Sequence, residues 1–457
     1  MASSSSDEAT STSTGTGPTE TGPTETGKTN LGTESAVRWK LCAAMFLQHY
    51  SLGLWAVTLG SYITANTGEL GSGMFRPGFA GFAMGASAIG ALVSPFVSGW
   101  LADRYIAAER LLVLLHFLGG AALMGVVLAR SQTAFYLGLV GFFICYSPTY
   151  SLTNSLVFYH RANSSREFPI IRAWGTVGWV CAGISVGWAW KAGFGTSIED
   201  QITPLKLGIG AEIVAGLFCL FLPHTPPTLS QTGSRNFQQL PRKSLLSRLF
   251  SSESLVLFRQ PTMLISLVVA FLAALPTQFY YGYGNPFFNK YGLEHAAAKM
   301  TLGQVVEIAC MLVLPALLLR LGLKRILLVG VAAWVVRYVC MAALSTSVAG
   351  ETGVGLMYLA ILLHGAAYTF VSISLQVHVN RVAGSSHRAT AQGLLVIVSS
   401  GLGHLAGSLL AGFAEGKLLS SDLSQGWDSF WAVPAAISGI CWILIAIGFP
   451  AGEKVSD

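Results

Sequence analysis

The sequence predicts an all-α integral membrane protein in which twelve transmembrane helices form two six-helix bundles. Three observations carry that expectation. Only 11% of the residues are Asp, Glu, Lys or Arg and 52% are hydrophobic, whereas soluble domains hold about 25% charged residues. Mean hydropathy is +0.58. Apolar stretches of about 20 residues, long enough to cross about 30 Å of hydrocarbon, recur along the chain. A soluble chain of 457 residues could not cover its surface with so few charges, whereas a lipid-facing surface needs no such cover.

The elements follow in order. Residues 1–36 are a Ser/Thr/Gly/Pro/Glu tract with the near-repeat TGPTETG. It is too polar to build a core and reads as a disordered cytoplasmic tail. It also lacks the charged start and short apolar stretch of a signal peptide, so the first span is expected to stay in the membrane as an anchor. Spans are expected at 38–64, 79–102, 110–129, 134–158, 172–191 and 206–223, giving an N-terminal bundle over 37–223. Residues 224–261 form the longest internal polar segment, with Arg235, Arg242, Lys243, Arg248 and Arg259, and read as a cytoplasmic linker loop. The C-terminal bundle, 262–457, holds spans at 262–288, 297–320, 324–346, 354–380, 389–414 and 429–450. Two of these are separated only by the polar break from Arg320 to Arg325.

Charge sorting supports the count. With both termini inside, eighteen Lys and Arg residues fall on inner segments and seven on outer loops. That asymmetry fits the positive-inside rule. The seven cysteines each lie in a different apolar run without CxxC spacing, so they read as small buried apolar residues, with no metal site or disulfide framework. The chain also shows no HExxH cluster, and an enzyme is not expected.

Polar groups left inside spans are the functional candidates, because ionisable residues there are costly unless paired or hydrated. Arg337 reads either as such a candidate or as a structural group bonding carbonyls of a neighbouring helix. Arg172, Thr176 and Trp179 recur at i, i+4 and i+7 on the fifth span, so they share one stripe. They suit a ligand with an aromatic ring and several acceptors, or else a snorkelling arginine and a packed indole. On the eighth span Gln304 and Glu307 share a face, and Glu307 reads as the one acidic residue at the centre of a span. Its charged form is disfavoured there, which is what a proton-coupled carrier requires. The seventh span carries Gln278 and Tyr281 before Gly284-Asn285-Pro286, where a bent or broken helix is expected. The tenth carries His364 and Tyr368 at i, i+4, with Thr369 adjacent. Gly99, Asp103 and Arg104 form a Gly-x-x-x-Asp-Arg turn between the second and third spans, a conformational motif for the inner interface between halves.

That turn, with Glu109-Arg110 behind it, resembles the inner-loop motif of the major facilitator superfamily. Leu59-Gly-Ser-Tyr62, Phe168-Pro-Ile-Ile-Arg172-Ala-Trp-Gly-Thr176, Gln304-Val-Val-Glu307 and Arg388-Ala-Thr-Ala-Gln392-Gly resemble segments of the bacterial nucleoside:proton symporter family, in matching order across nearly the whole chain. The resemblance implies a nucleoside site between the halves, contacted by Arg172, Thr176, Gln278, Gln304 and Glu307. Trp179 and Tyr368, where such transporters can have phenylalanine, would stack on the base. Tyr281 replaces an expected asparagine. Thr369 stands where an aspartate is implicated in proton coupling, so Glu307 would carry the proton alone or with His364.

The expected function is therefore proton-coupled nucleoside uptake by alternating access, by a monomer in the bacterial cytoplasmic (inner) membrane with both termini cytoplasmic. The partners are nucleoside, protons and lipid, with no nucleic acid, no metal and no cofactor beyond the proton gradient. Rival readings are a same-fold carrier for a nucleobase or oligosaccharide, and a nucleoside sensor without flux.

Overall fold

Backbone amides and carbonyls find no water in hydrocarbon, so a spanning chain must satisfy them within each segment, and helices do so. The computed structural model describes residues 25–97, 101–102, 105–160, 164–227, 260–346, 351–383, 391–420 and 423–450. Almost all of these are helical, and the one extended pairing is a bridge between Thr67 and Phe75.

The N-terminal bundle contains α1 (Glu25–Ala56) with a short continuation α2 (Leu59–Ala65), α3 (Phe79–Val97), α4 (Ala108–Leu128), α5 (Gln132–His160), α6 (Ser164–Ile184) prolonged by α7 (Trp190–Phe194), and α8 (Thr203–Cys219). The C-terminal bundle contains α9 (Pro261–Lys290), a short α10 (Ala296–Met300), α11 (Leu302–Leu321), α12 (Leu323–Thr346), α13 (Glu351–Tyr368) prolonged by α14 (Ser374–Val382), α15 (His404–Leu418) and α16 (Trp427–Gly448). Among the described residues nine helices are long and apolar enough to cross a membrane. With α1, α3 and α8 they complete twelve rods in two six-helix bundles.

Local chemistry sets several boundaries. Pro261 opens α9, where a missing amide proton costs nothing. Gly322, at φ +76, ends α11 immediately before α12 begins. The polar break read between Arg320 and Arg325 is this turn. The first span, expected as one segment, steps at Val57 and Thr58 between α1 and α2. Three stretches, Ser185–Ala189, Thr369–Ile373 and Ile397–Gly403, are wound as π-helix, a local widening that often accompanies functional sites.

One expectation is corrected. The seventh span is not broken at Gly284-Asn285-Pro286: α9 runs unbroken through Pro276 and Pro286 to Lys290. Asn285 is buried there and bonded across the bundles, as described next, which holds that turn in place.

The bundles meet chiefly through α3 against α15, and through α9 against α2 and α3. Glycines bring these backbones together. A Cβ on Gly60 would lie 1.9 Å from the Gly282 carbonyl oxygen, and one on Gly81 would lie 2.2 Å from the Gly412 amide nitrogen. Hydrogen bonds joining the halves gather at the far end, opposite the starts of α1 and α9. Ser61 donates to Asn285 Oδ1 (2.6 Å). Asn285 and Asn289 donate to Glu199 Oε2 (2.8 and 3.0 Å), and the Ala297 amide adds a bond to the same carboxylate (3.2 Å). Glu199 is only 3% exposed. The far end is therefore latched by a buried carboxylate from one half and amides from the other.

Candidate functional site

The N-terminal wall of the central region comes from α6. Its helix is continuous from Ser164 to Ile184, so Arg172, Thr176 and Trp179 lie on one stripe, as their spacing predicts. All three are half-buried. Gly175 explains part of the Arg-x-Trp-Gly-Thr string, because a Cβ there would lie 2.7 Å from both Arg172 Nη1 and the His49 ring. The absent side chain leaves room for guanidinium and imidazole to meet. His49 donates from Nδ1 to the Met45 carbonyl (2.8 Å), and its ring meets Tyr150 edge-on at 5.1 Å. Its Nε2 is sealed and has no partner. Trp179 packs against Gly53 of α1.

The C-terminal wall combines α9, α11 and α13. Gly365 makes the closest contact, since a Cβ there would lie 2.2 Å from the Glu307 amide nitrogen. α13 thus lies directly on α11, with Gly365 against the Glu307 backbone and His364 against Gly303. Thr369 is fully buried and donates to the Glu307 backbone carbonyl (3.4 Å). It braces the helix that carries the carboxyl. Gln304 turns back on its own helix, donating to the Met300 and Thr301 carbonyls (3.0 and 3.3 Å). Gln278 is 1% exposed and packs beside Gly407 of α15.

His364 is the hub of an aromatic and cationic cluster. Arg337 Nη1 donates to its Nδ1 at 2.9 Å. The Arg337 guanidinium carbon sits 3.3 Å from the Tyr280 ring centroid. Tyr280 and Tyr368 both stack on the His364 ring, at 5.5 and 6.2 Å. Tyr281 meets His364 and His404 edge-on, each at 6.5 Å. Tyr281 is 37% exposed despite its mid-helix position. It and Tyr368 line a cavity of about 160 Å³ together with Thr277, Gln376, Ser399 and His404. The structural reading of Arg337, as a group bonding helix carbonyls, gives way to this histidine and tyrosine contact.

Three helix-interior carboxyls can be compared, which corrects the reading of Glu307 as the one central acid. Glu212 on α8 is fully buried and bonded to His116 Nδ1 and Ser51 Oγ, each at 2.7 Å. Glu415 on α15 is buried and accepts from the Tyr283 hydroxyl. Both are locked. Glu307 is half-buried, and its carboxyl has neither hydrogen-bond nor ion-pair partner among the described residues. It lies within electrostatic reach of Arg172 from the other half, and Tyr368 within reach of both. A carboxyl that is unengaged and lies within reach of a cation can take and release a proton or accept from a ligand hydroxyl.

The structure therefore brings Arg172, Thr176, Glu307, His364, Tyr368 and Tyr281 around one central region. Gln278, Gln304 and Trp179 border it with side chains turned to other contacts. Gly99, Asp103 and Arg104 lie outside the described residues, as does most of the 224–261 loop. Sequence reading missed His49, Tyr150 and His404, although each is a polar group within an apolar run. The sequence reading also expected no phosphate loop, yet Gly22 to Thr29 has the GxxxxGK[ST] spacing of one. That motif needs a strand before it and a loop through it, whereas α1 begins inside it at Glu25. Among the described residues no cluster of three metal-ligating side chains exists.

Comparison with known proteins adds the following. A family model described as nucleoside H+ symporter matches residues 35–454. The putative nucleoside transporter YegT of Escherichia coli (strain K12) is 30% identical over 91% of this chain and 94% of its own length. Xanthosine permease of the same organism is 27% identical, covering 91% of this chain and 96% of its own. Nucleoside permease NupG is 26% identical, covering 90% of this chain and 94% of its own. Among solved structures, nucleoside transporter NupG superposes with a TM-score of 0.76 at 24% identity over 90% of this chain and 98% of that one. A D-xylose–proton symporter gives 0.69 at 12% over 92% and 99%. Both share the fold.

Proposed function

Because the chain belongs to the nucleoside H+ symporter family, we propose that it carries nucleosides into the cell together with protons, by alternating access across the bacterial cytoplasmic membrane. The observation that carries the mechanism is the unpartnered Glu307 carboxyl within electrostatic reach of Arg172 across the two halves. Glu307 takes the transported proton and accepts a ribose hydroxyl. Arg172 and Thr176 anchor polar groups of the nucleoside, and Tyr368 and Tyr281 offer aromatic faces to the base. Gln278 and Gln304 join the site as the halves move, and Trp179 supports α6 behind it. The turn at Gly99, Asp103 and Arg104 steadies the inner interface.

In this reading both termini and the 224–261 loop are cytoplasmic, in keeping with the cation asymmetry of the sequence. The latched far end then faces outside, and the structure is an inward-facing state. The carrier works as a monomer, draws on the proton gradient and needs no cofactor.

Proteoliposomes with the interior more alkaline should accumulate labelled uridine and lose that accumulation when the gradient is collapsed. Unlabelled nucleosides should compete, and free bases and oligosaccharides should not. Competition by the latter would reassign the cargo. Binding without uptake would make the protein a sensor.

A further inference from the structure

We propose that Arg337 is a positioning residue that fixes His364 as a hydrogen-bond donor to the substrate, with the ring proton on Nε2, so that His364 takes no part in carrying the transported proton. Arg337 is 1% exposed, and a guanidinium has donors only and stays charged. Its Nη1 lies 2.9 Å from His364 Nδ1, so Nδ1 must offer a lone pair. A neutral imidazole whose one nitrogen accepts carries its proton on the other.

The cluster holds this arrangement rigidly. Tyr280 is the shared floor, with the guanidinium carbon 3.3 Å from its ring centroid and the imidazole stacked at 5.5 Å. Arg337 has no carboxylate partner among the described residues, and its Nε and Nη2 are sealed without partners. The groups facing His364 are Arg337 from α12, Tyr280 and Tyr281 from α9 and Tyr368 from its own helix, with Gly303 of α11 against its ring and His404 beyond Tyr281. Protonating Nδ1 would break the bond to Arg337 and set two cations in contact in a buried place. His364 Nε2 is not among the sealed atoms. Protonated there, it is a donor suited to a base carbonyl, a ring nitrogen or a ribose oxygen. What this donor meets rests on the nucleoside reading above, but the position of the proton does not.

The test uses full-length protein in lipid nanodiscs, labelled with 15N at histidine, without substrate. The His364 signal is assigned by difference from His364→Gln. Expected is one Nε2-protonated tautomer that does not change between about pH 5 and pH 8, the interval in which an unperturbed histidine titrates. Arg337→Lys, which keeps a cationic donor, should preserve it. Arg337→Met should release Nδ1, so that the same signal titrates and uptake gains a matching pH step. A wild-type signal that titrates, or that carries its proton on Nδ1, overturns the proposal. So does an Arg337→Met signal identical to wild type. Should Arg337→Met not fold, the wild-type and Arg337→Lys spectra decide alone. These spectra hold even if the cargo proves not to be a nucleoside, so the two ideas fail separately.

Discussion

Replacing Glu307 by glutamine separates proton coupling from transport. The Glu307 carboxyl has no bonded partner among the described residues, so the amide leaves no protein group stranded and stability should shift by no more than about 0.5 kcal/mol. The nucleoside exchanges a charge-assisted hydrogen bond for a neutral one, a weakening on the order of tenfold. Energetically the gradient matters more. One pH unit across the membrane is worth about 1.4 kcal/mol, or tenfold accumulation for one proton per nucleoside. Wild-type proteoliposomes under a one-unit gradient should therefore concentrate labelled uridine about tenfold. The Glu307→Gln carrier should only equilibrate it, while still exchanging internal for external uridine. Accumulation by the variant that still follows the imposed gradient in full would refute the assignment of the proton to Glu307.

Other expectations can be measured in parallel. Glu212→Gln breaks a sealed pair with His116 and should destabilise the fold by about 3–5 kcal/mol, visible as a lower melting temperature in detergent. Gly175→Ala places a methyl 2.7 Å from Arg172 Nη1 and the His49 ring; KM for uridine should rise about tenfold, a change of about 1.4 kcal/mol, with the melting temperature little changed. Glu199→Ala removes the acceptor of the far-end bonds, each worth about 1.5–3 kcal/mol when charge-assisted. A cysteine placed at Ser61 should then react faster with an impermeant maleimide added from outside, and an unchanged rate would show that the latch does not hold that end shut.

Much of the fold was legible because membrane solvent imposes a simple rule. Length and apolarity set the spans, and the Gly322 turn could be read from a six-residue polar break. The stripe of Arg172 and Thr176 was equally open to inspection, since helical periodicity survives along α6. What spacing could not reveal was which polar residues are already taken. Glu212 looks as open to question as Glu307 in the sequence, and Glu415 falls just past an expected span, yet His116, Ser51 and Tyr283 lock them from other helices. Arg337 and His364 are 27 residues apart on different helices, and no periodicity links them. The continuity of α9 was hidden too, because proline and glycine signal a break unless neighbours hold the helix together.

The glycine contacts between the halves have a mechanical consequence. Where Gly60 meets Gly282 and Gly81 meets Gly412, backbone lies against backbone, with the Phe82 ring beside Gly412 and the Gly81 amide bonded to the Tyr283 hydroxyl (2.7 Å). Such a seam interlocks few long side chains. It resists motion through the Gly81–Tyr283 bond and through the polar latch at its edge. A methyl group added there would act as a wedge, so Gly60→Ala or Gly412→Ala would prop the carrier open on its outer side without altering a single polar residue.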